Sequence, residues 1–501
     1  MTVYYKNSTH PLVHFRSAED WQSMSDLCQD FLTPWDWSQI YHYLHDVAQC
    51  VLIEKDYHDK DYRDTFSHFY SKKFALYSPR AIRLNFFNTR IAPRGLWDLT
   101  RYQEKYIGSM VIRPTRTNTI GRTLINPALL GFVHGFLAQT RYKNHLLGSP
   151  LAIDAFPYIS QDTDVTVCAH AACWMIFRYF SERYVAYAEI HPYELTQLTH
   201  DLSLGRRVPS TGLTVFQVSE IFTRFGFFPL IYFRETYRND PALFNRLLYY
   251  YVESGLPVVA GLRGKSHAIT ILGHSCPRSA AAIAGGNPIN TYDLVDGFIV
   301  NDDNHLPYQV LWKSGPTGLV PHESEFKIAD IDTFVVPVYE KIYLAAEHIE
   351  SYVFHILCPN NGFNTENFGF EPPDLVFRIF LTSSRSYKKY RKDHPIGNEV
   401  SRVYQQIPMP KFIWVCEMTT KVLYDDRTLG AKKGQVLGEI IWDATASQQD
   451  PFGFIAIHFP RRFIVNDRDT SSLKPHRFVM DKRLHDSRPY DIYVNNLREC
   501  P

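Results

Sequence analysis

Three residue types that together can activate a thiol occur in this chain in the order cysteine, histidine, acid. Cys168 stands at the start of an apolar run with helical spacing, His267 begins a strand-like run, and Asp302 follows the apolar run 297–301. A helix N-terminus favours a thiolate because its unpaired backbone N–H groups and dipole attract negative charge. A histidine can hold that thiolate as an ion pair, and an acid can orient the ring. The order therefore predicts a thiol site for acyl transfer.

Each of these residues also has a plainer interpretation. A cysteine on an apolar helix is most often a small buried hydrophobe, and we expect this of Cys173. A single histidine such as His267 is more often a hydrogen-bonded core residue, and the adjacent acids Asp302 and Asp303 are typical of a turn. The thiol site is favoured because the residue order, the helix start, the strand placement and the flanking residues agree.

Other patterns that could carry chemistry are weaker. The run 261–266 ends like a phosphate-binding loop, but Val259 occupies the position of its first glycine. Histidines and acids near residues 42–58 lack a defined metal-ligand spacing, so we predict neither a metal nor a cofactor. The run 385–392 mixes Arg and Lys with tyrosine, which is compatible with nucleic-acid binding. A charged helix face explains that run more simply, and a nucleic-acid partner is not expected.

The composition indicates a globular protein of several domains. The chain has 501 residues, 45% of them hydrophobic, and a net charge of +1, so no global field favours nucleic acid or a membrane surface. Its eight cysteines are scattered without a CxxC pair, which argues against a disulfide framework or a zinc ribbon. The first residues do not resemble a signal peptide, and no apolar run approaches 18 residues. We therefore expect a cytoplasmic protein without membrane insertion.

Hydrophobic periodicity divides the chain into three α+β regions. Residues 1–140 show helical patterns at 17–32, 37–53 and 62–74, followed by strands. Residues 145–338 contain the candidate site, with helices at 168–182, 192–203, 214–225 and 241–253. Strands are predicted there near 228–233, 257–262, 267–273, 292–295 and 298–301. Residues 276–290 look like an inserted mobile flap, and residues 340–501 form a further α+β domain with a polar tail.

The central region resembles the papain-like cysteine peptidases, and most closely their bacterial C39-type branch. Those proteins carry a glutamine shortly before the pattern Cys-x-x-Ala-x-x-x-Met, which Gln161, Cys168, Ala171 and Met175 match here. Their histidine opens an apolar strand that ends in glycine, as His267 does in the run 267–273. Ala169 stands where C39-type proteins have a glycine, and the resemblance covers about 190 residues.

The resemblance implies a papain-like central domain and a cysteine peptidase that acts on a protein or peptide. Cys168 would be the nucleophile, His267 the base, Asp302 the residue that orients the ring, and Gln161 an oxyanion donor. The flanking regions would recognise the substrate or a regulatory protein partner. Two alternatives remain open: a transglutaminase or deamidase with the same three residues, and a catalytically silent papain-fold binding protein.

Overall fold

The structure is a computed structural model of an α+β protein. It describes residues 3–6, 8–198, 208, 212–283, 288–315, 322–357, 371, 374–426, 434–446, 453–466, 478–484 and 488–500. The α-helices are α1 Ala18–Leu27, α2 Pro34–Leu44, α3 Lys60–His68, α4 Cys168–Arg183, α5 Pro192–Gln197, α6 Val215–Arg224, α7 Pro241–Glu253, α8 Thr291–Leu294, α9 Ala346–Leu357, α10 Ser384–Asp393, α11 Asn398–Gln406 and α12 Lys421–Asp425.

The strands alternate with these helices in three blocks along the chain. They are β1 Val3–Tyr4, β2 Leu12–His14, β3 Cys50–Tyr57, β4 Ala81–Phe87, β5 Tyr106–Ile112, β6 Ile120–Ile125, β7 Gly135–Ala138, β8 Thr140–Leu146, β9 Ser149–Ala155, β10 Leu230–Phe233, β11 Val258–Leu262, β12 His267–Ser275, β13 Ile289–Asn290, β14 Gly297–Asn301, β15 Gln309–Trp312, β16 Ile331–Val336, β17 Leu375–Ser383, β18 Phe412–Thr420, β19 Gln435–Val436, β20 Gly438–Asp443, β21 Phe454–Phe459, β22 Arg462–Asn466, β23 Phe478–Arg483, β24 Tyr490–Asp491 and β25 Leu497–Cys500.

The described strands form three large sheets and two two-stranded sheets, β8-β9 and β19-β24. The first has the order β1-β2-β3-β4-β5-β6, and the third has the order β13-β17-β18-β20-β21-β22-β23. The central sheet has the order β10-β16-β11-β12-β14-β15, and β12 also pairs with β7, which in turn pairs with β25. All described pairings of the central sheet are antiparallel. This sheet positions the candidate site, because its strands β12 and β14 lead directly to His267 and Asp302.

Strands from both flanking regions enter the central sheet. Gly273 of β12 pairs with Leu137 of β7, and Leu137 pairs with Arg498 of β25. In the opposite direction, β13 leaves the central region and pairs in parallel with β17 of the third sheet. The predicted domain boundaries, between residues 140 and 145 and between 338 and 340, stay predictions. Strands from the regions on either side of these boundaries pair with each other.

Two predicted elements were wrong in type. The helix expected over 37–53 ends at Leu44, and β3 begins at Cys50, so the apolar residues after Ala48 belong to a sheet. The strand expected at 292–295 is the short helix α8, because the Asn290 side chain accepts the Tyr292 N–H at 2.9 Å and starts a helical turn. The end of the helix expected over 192–203 lies outside the described residues.

The described residues of the insertion at 276–290 do not lie over the site as predicted, and residues 284–287 lie outside the described part of the chain. The insertion follows the C-terminal end of β12, whereas His267 is the first of the nine residues of that strand. At about 3.3 Å per residue, the two ends lie about 26 Å apart. The described part of the insertion is held on the third sheet by β13, and the Asp425 carboxylate accepts the N–H of Ala280 at 2.8 Å.

Candidate active site

Cys168 is the first residue of α4. Val167 before it is extended (φ −115°, ψ 173°), and its N–H donates to His170 Nδ1 at 3.4 Å, which closes the first helical turn. Burial lowers the pKa of His170 to about 4, so the ring is neutral and suited to this acceptor role. His170 is therefore a polar helix cap, and it keeps Cys168 at a helix N-terminus.

Helix α4 packs its apolar face on β12 and also contacts β8 and β11. Cys173 is fully buried there, and burial raises the pKa of its thiol well above its ordinary value. Thr270 of β12 donates its hydroxyl to the Ala172 carbonyl at 3.4 Å, and the Asn301 amide at the end of β14 lies 3.7 Å from Met175 Sδ. These contacts fix the helix start relative to the ends of the two strands.

The histidine and the acid are directly hydrogen-bonded. His267 Nε2 lies 2.9 Å from Asp302 Oδ1, and the Asp302 side chain is almost fully buried. Asp302 Oδ1 also accepts the N–H of Asn304 at 3.0 Å, which fixes the carboxylate in a tight turn after β14. Because His267 Nε2 bonds to Asp302, Nδ1 is the ring nitrogen that can face the thiol.

The thiol lies beside this ring. Cys168 Sγ is 3.9 Å from the carbonyl oxygen of Ser266, the residue before His267. Burial disfavours the charged ring, but the hydrogen bonds with Asp302 and Cys168, together with the charges of Asp302 and Asp303, outweigh it. They raise the pKa of His267 to about 10. The structure thus brings Cys168, His267 and Asp302 together around a ring that is cationic at neutral pH.

Gln161, the predicted oxyanion donor, lies at the acid side of the site. Its Nε2 donates to Asn304 Oδ1 at 3.1 Å. An amide nitrogen carries two hydrogens, so a second N–H of Gln161 is available for an incoming group. The oxyanion role of Gln161 stays a prediction.

Three further residues shape the site and were not predicted. The Phe326 ring packs against the His267 ring, with centroids 5.8 Å apart. Ser266 adopts a left-handed conformation (φ 48°), which turns the chain so that its carbonyl faces the sulfur. Asn304 follows Asp302 and Asp303 in an acid-rich turn, a signal from which its role could have been found. For Phe326 the sequence contains no such signal.

The N-terminal region borders the acid turn. Gln39 Nε2 on α2 donates to the Asn304 carbonyl at 3.1 Å, and the Tyr43 hydroxyl donates to the Pro307 carbonyl at 3.0 Å. Helix α2 therefore supports the loop that carries Asp302 and forms part of the surroundings of the site.

Two groups of described side chains have the spacing that a metal ion requires. In the first, Asp61, Glu189 and His191, the acids are already paired with Arg122, Lys60 and Arg178. In the second, His267, Asp302 and Asp303, the ring nitrogen that a metal would need already bonds to Asp302. The paired Arg and Lys side chains in the first group, and the occupied ring nitrogen in the second, make both groups poor metal sites. The absence of a metal or cofactor stays a prediction.

The basic run 385–392 belongs to helix α10. Its Arg391 and Tyr387 are buried, and Lys388 donates to the Ile407 carbonyl at 2.6 Å. Only Arg385, Lys389 and Lys392 of the basic residues in this run are exposed. These three residues form a charged face of α10, and the absence of a nucleic-acid partner stays a prediction.

No protein-family model matches the chain, and neither a curated protein nor a solved structure is significantly similar to it. The resemblance to C39-type peptidases therefore depends on the residues quoted above and stays a prediction. Among the described residues, no helix combines the length and the apolar character needed to cross a membrane.

Proposed function

We propose that this protein is a cysteine peptidase-like hydrolase that cleaves a protein or peptide through an acyl-enzyme. One observation carries the proposal: Cys168 at a helix start, His267 at a strand start and Asp302 after the neighbouring strand meet around one imidazole ring. A nucleophile, a base and an orienting acid in contact are the requirements for thiol acyl transfer.

In the first half of the reaction, the Cys168 thiolate attacks the carbonyl carbon of the scissile amide. The proton carried by His267 Nδ1 passes to the leaving nitrogen, the C–N bond breaks, and a thioester on Cys168 remains. Asp302 holds the ring through Nε2 at 2.9 Å. The cationic ring required for this step is the form that the raised pKa of His267 favours.

In the second half, water attacks the thioester carbonyl. Neutral His267 accepts a proton from the water, the C–S bond breaks, and the thiolate with its imidazolium partner is restored. The Cys168 N–H lies in the first turn of α4 and has no acceptor within the helix, so it can donate to the oxyanion. Gln161 supplies a second donor, and one such donor is typically worth about 3 kcal/mol.

A papain-like arrangement of the central region belongs to the same proposal. A helix that carries the nucleophile packs on an antiparallel sheet whose strands lead to the base and the acid. The contacts of α2 with the acid turn support a role of the N-terminal region at the edge of the cleft. The proposal also includes a cytoplasmic location and a regulatory protein partner.

The test is to incubate the full-length protein with a complex peptide mixture and to identify new termini by mass spectrometry. We expect new N-termini with the wild-type protein and none with Cys168→Ala. Cys173→Ala is the matched control, because Cys173 lies on the same helix but points into the core.

Two results would contradict the proposal. Cleavage that persists in Cys168→Ala would remove this thiol from the reaction. Intact peptides whose glutamines have become glutamates or cross-links would instead assign the same residues to a deamidase or transglutaminase.

A further inference from the structure

A second carboxyl group lies behind the candidate base. Asp303 follows Asp302 in the chain and is only 2% exposed, yet its Oδ1 lies 3.9 Å from His267 Nε2. In the described part of the chain, neither Asp303 oxygen accepts a hydrogen bond from another side chain. A buried carboxyl without such a partner is costly, so its place beside a cationic ring calls for a physical reason.

The environment of Asp303 can be traced element by element. On its own turn it faces Asp302, and on β12 it faces His267. From the segment before α4, the Gln161 N–H points at its carboxyl, and the Tyr158 hydroxyl donates to its backbone carbonyl at 3.1 Å. Burial raises the pKa of Tyr158 well above its ordinary value, so that phenol is neutral.

Two further charged groups act on Tyr158. Asp36 and Arg113 lie near that phenol, and their charges are opposite in sign. Cys168 lies next to the ring itself. The only cation in direct contact with Asp303 among the described residues is therefore the imidazolium of His267.

We propose that Asp303 is a second positioning acid of the thiol site, which acts through His267 and widens the pH range over which that ring keeps its proton. The inference deepens the proposed function and rests on it for its kinetic readout alone. When Asp303 is ionised, the ring is held by two negative charges instead of one. When Asp303 is protonated, Asp302 alone holds it.

The direction of the effect follows from the charges. Burial first, and the charge of Asp302 second, raise the pKa of Asp303 to about 7, against the opposing influence of His267 and the Gln161 N–H. Asp303 thus becomes negative as the pH rises through about 7, below the pH of about 10 at which His267 loses its proton. The Asp303 carboxylate is therefore negative in the pH range in which the His267 ring would otherwise begin to lose its proton.

The test is a titration of His267 in the full-length protein, with and without the Asp303 charge. Exchange of the ring Cε1 hydrogen with D₂O, read at the His267 peptide by mass spectrometry, reports the protonation of the ring without any need for activity. We expect Asp303→Asn to lower the titration midpoint by about one unit or more, as an opposite charge within 4–6 Å typically does.

The same shift should appear in catalysis if the proposed function is correct. Wild type and Asp303→Asn should have similar kcat/KM at pH 6, where Asp303 is neutral. At pH 9.5 the variant should be slower by about threefold or more, which is the loss that a one-unit lower midpoint produces. A purely structural role of Asp303 would lower the rate equally at both pH values.

Asp296→Asn is the matched control. Asp296 belongs to the same region, but it pairs with Arg278 at 3.0 Å and its N–H donates to Ser275 at the far end of β12. Its removal should leave the His267 midpoint unchanged. If Asp303→Asn does not fold, Asp303→Ser removes the same charge in a smaller side chain.

Two outcomes would overturn the inference. One is a His267 midpoint that is the same in the wild type and in a folded Asp303 variant. The other is a wild-type midpoint near 6.5, which can be measured without any variant. If the His267 midpoint shifts in Asp303→Asn but the wild-type protein hydrolyses no peptide, the inference about Asp303 stands and the proposed function is rejected.

Discussion

Cys168 and Cys173 lie on the same helix and meet opposite environments. Cys168 is partly exposed at the helix start, beside a ring that stays cationic up to a pH of about 10. Cys173, five residues further on, is fully buried, and burial raises the pKa of its thiol well above the ordinary value. Burial likewise raises the pKa of Cys28, Cys50 and Cys500 to about 12. Only the thiolate is nucleophilic, so reactivity should concentrate at Cys168.

Brief treatment with iodoacetamide near pH 6 should modify Cys168 well before any of these four thiols. Peptide mapping by mass spectrometry measures the order directly. His267→Gln should slow the modification of Cys168 at this pH, because the cationic ring beside the sulfur is removed. Modification of Cys173 first, or equal rates at both positions, would contradict the assignment of the reactive thiol.

The three residues that meet at the candidate site could be predicted from sequence, whereas their supports could not. Cys168, His267 and Asp302 carry local signals: a helix start, a strand start and an acid after an apolar run. The partner of Gln161 and the ring that packs on His267 come from positions 143 and 59 residues away in the chain, where no local pattern marks them. Contacts of that kind depend on how the sheets close, which is a tertiary property.

At the scale of elements, β12 is the central strand that connects the site to the rest of the sheet. It pairs with β11, β14 and β7, and α4 lies across it. Gly273 occupies the position where β14 and β7 both approach. A Cβ atom there would lie 2.2 Å from the Phe136 carbonyl oxygen and 2.9 Å from the Leu137 Cα. Both atoms belong to the backbone of β7 and cannot move independently.

Gly273→Ala should therefore lower the free energy of unfolding by at least about 2 kcal/mol, as overpacking in a core does. The matched control is Gly261→Ala on the neighbouring strand β11, where a Cβ atom would meet nothing nearer than Asp332 Oδ1 at 3.6 Å. That variant should stay within about 1 kcal/mol of wild type. Urea denaturation of both variants measures the difference, and equal losses would show that β7 does not approach Gly273 this closely.

Elements with strong periodicity could be predicted, and those set by neighbouring strands could not. Helices α4, α6 and α7 lie within one residue of the expected bounds, because their apolar spacing and start signals agree. Strand β3 was mistaken for helix because its apolar residues continue directly from the helical pattern of α2. The insertion was placed over the site because it is close to His267 in sequence, although an extended strand carries the chain away from its starting point.

At the scale of the whole molecule, buried charges join the central region to the third sheet. Arg378 on β17 donates to Glu253 at the end of α7 at 2.7 Å and to Glu417 on β18 at 2.8 Å. Glu417 also accepts from Arg391 at 2.9 Å, and Arg391 in turn donates to Glu439 at 2.7 Å. All five side chains are buried, so each charge depends on its partners for stability.

Arg378→Leu should lower the free energy of unfolding by about 3–5 kcal/mol, because it leaves Glu253 and Glu417 buried without their shared cation. Arg385→Leu is the matched control, since Arg385 is exposed on α10, and its loss should cost less than about 0.5 kcal/mol. Urea denaturation is the measurement. An Arg378 variant as stable as wild type would mean that the two regions do not depend on this network.

The pairing of β7 with both β12 and β25 has a consequence for biosynthesis. The ribosome makes β7 before the nucleophile, but β25 only after the whole third sheet. The central sheet therefore cannot close domain by domain while the chain emerges, as domains usually do. A nascent chain that already contains Cys168, His267 and Asp302 still lacks a strand of the sheet that aligns them. The alignment of Cys168, His267 and Asp302 should consequently be completed late, after translation has passed β25.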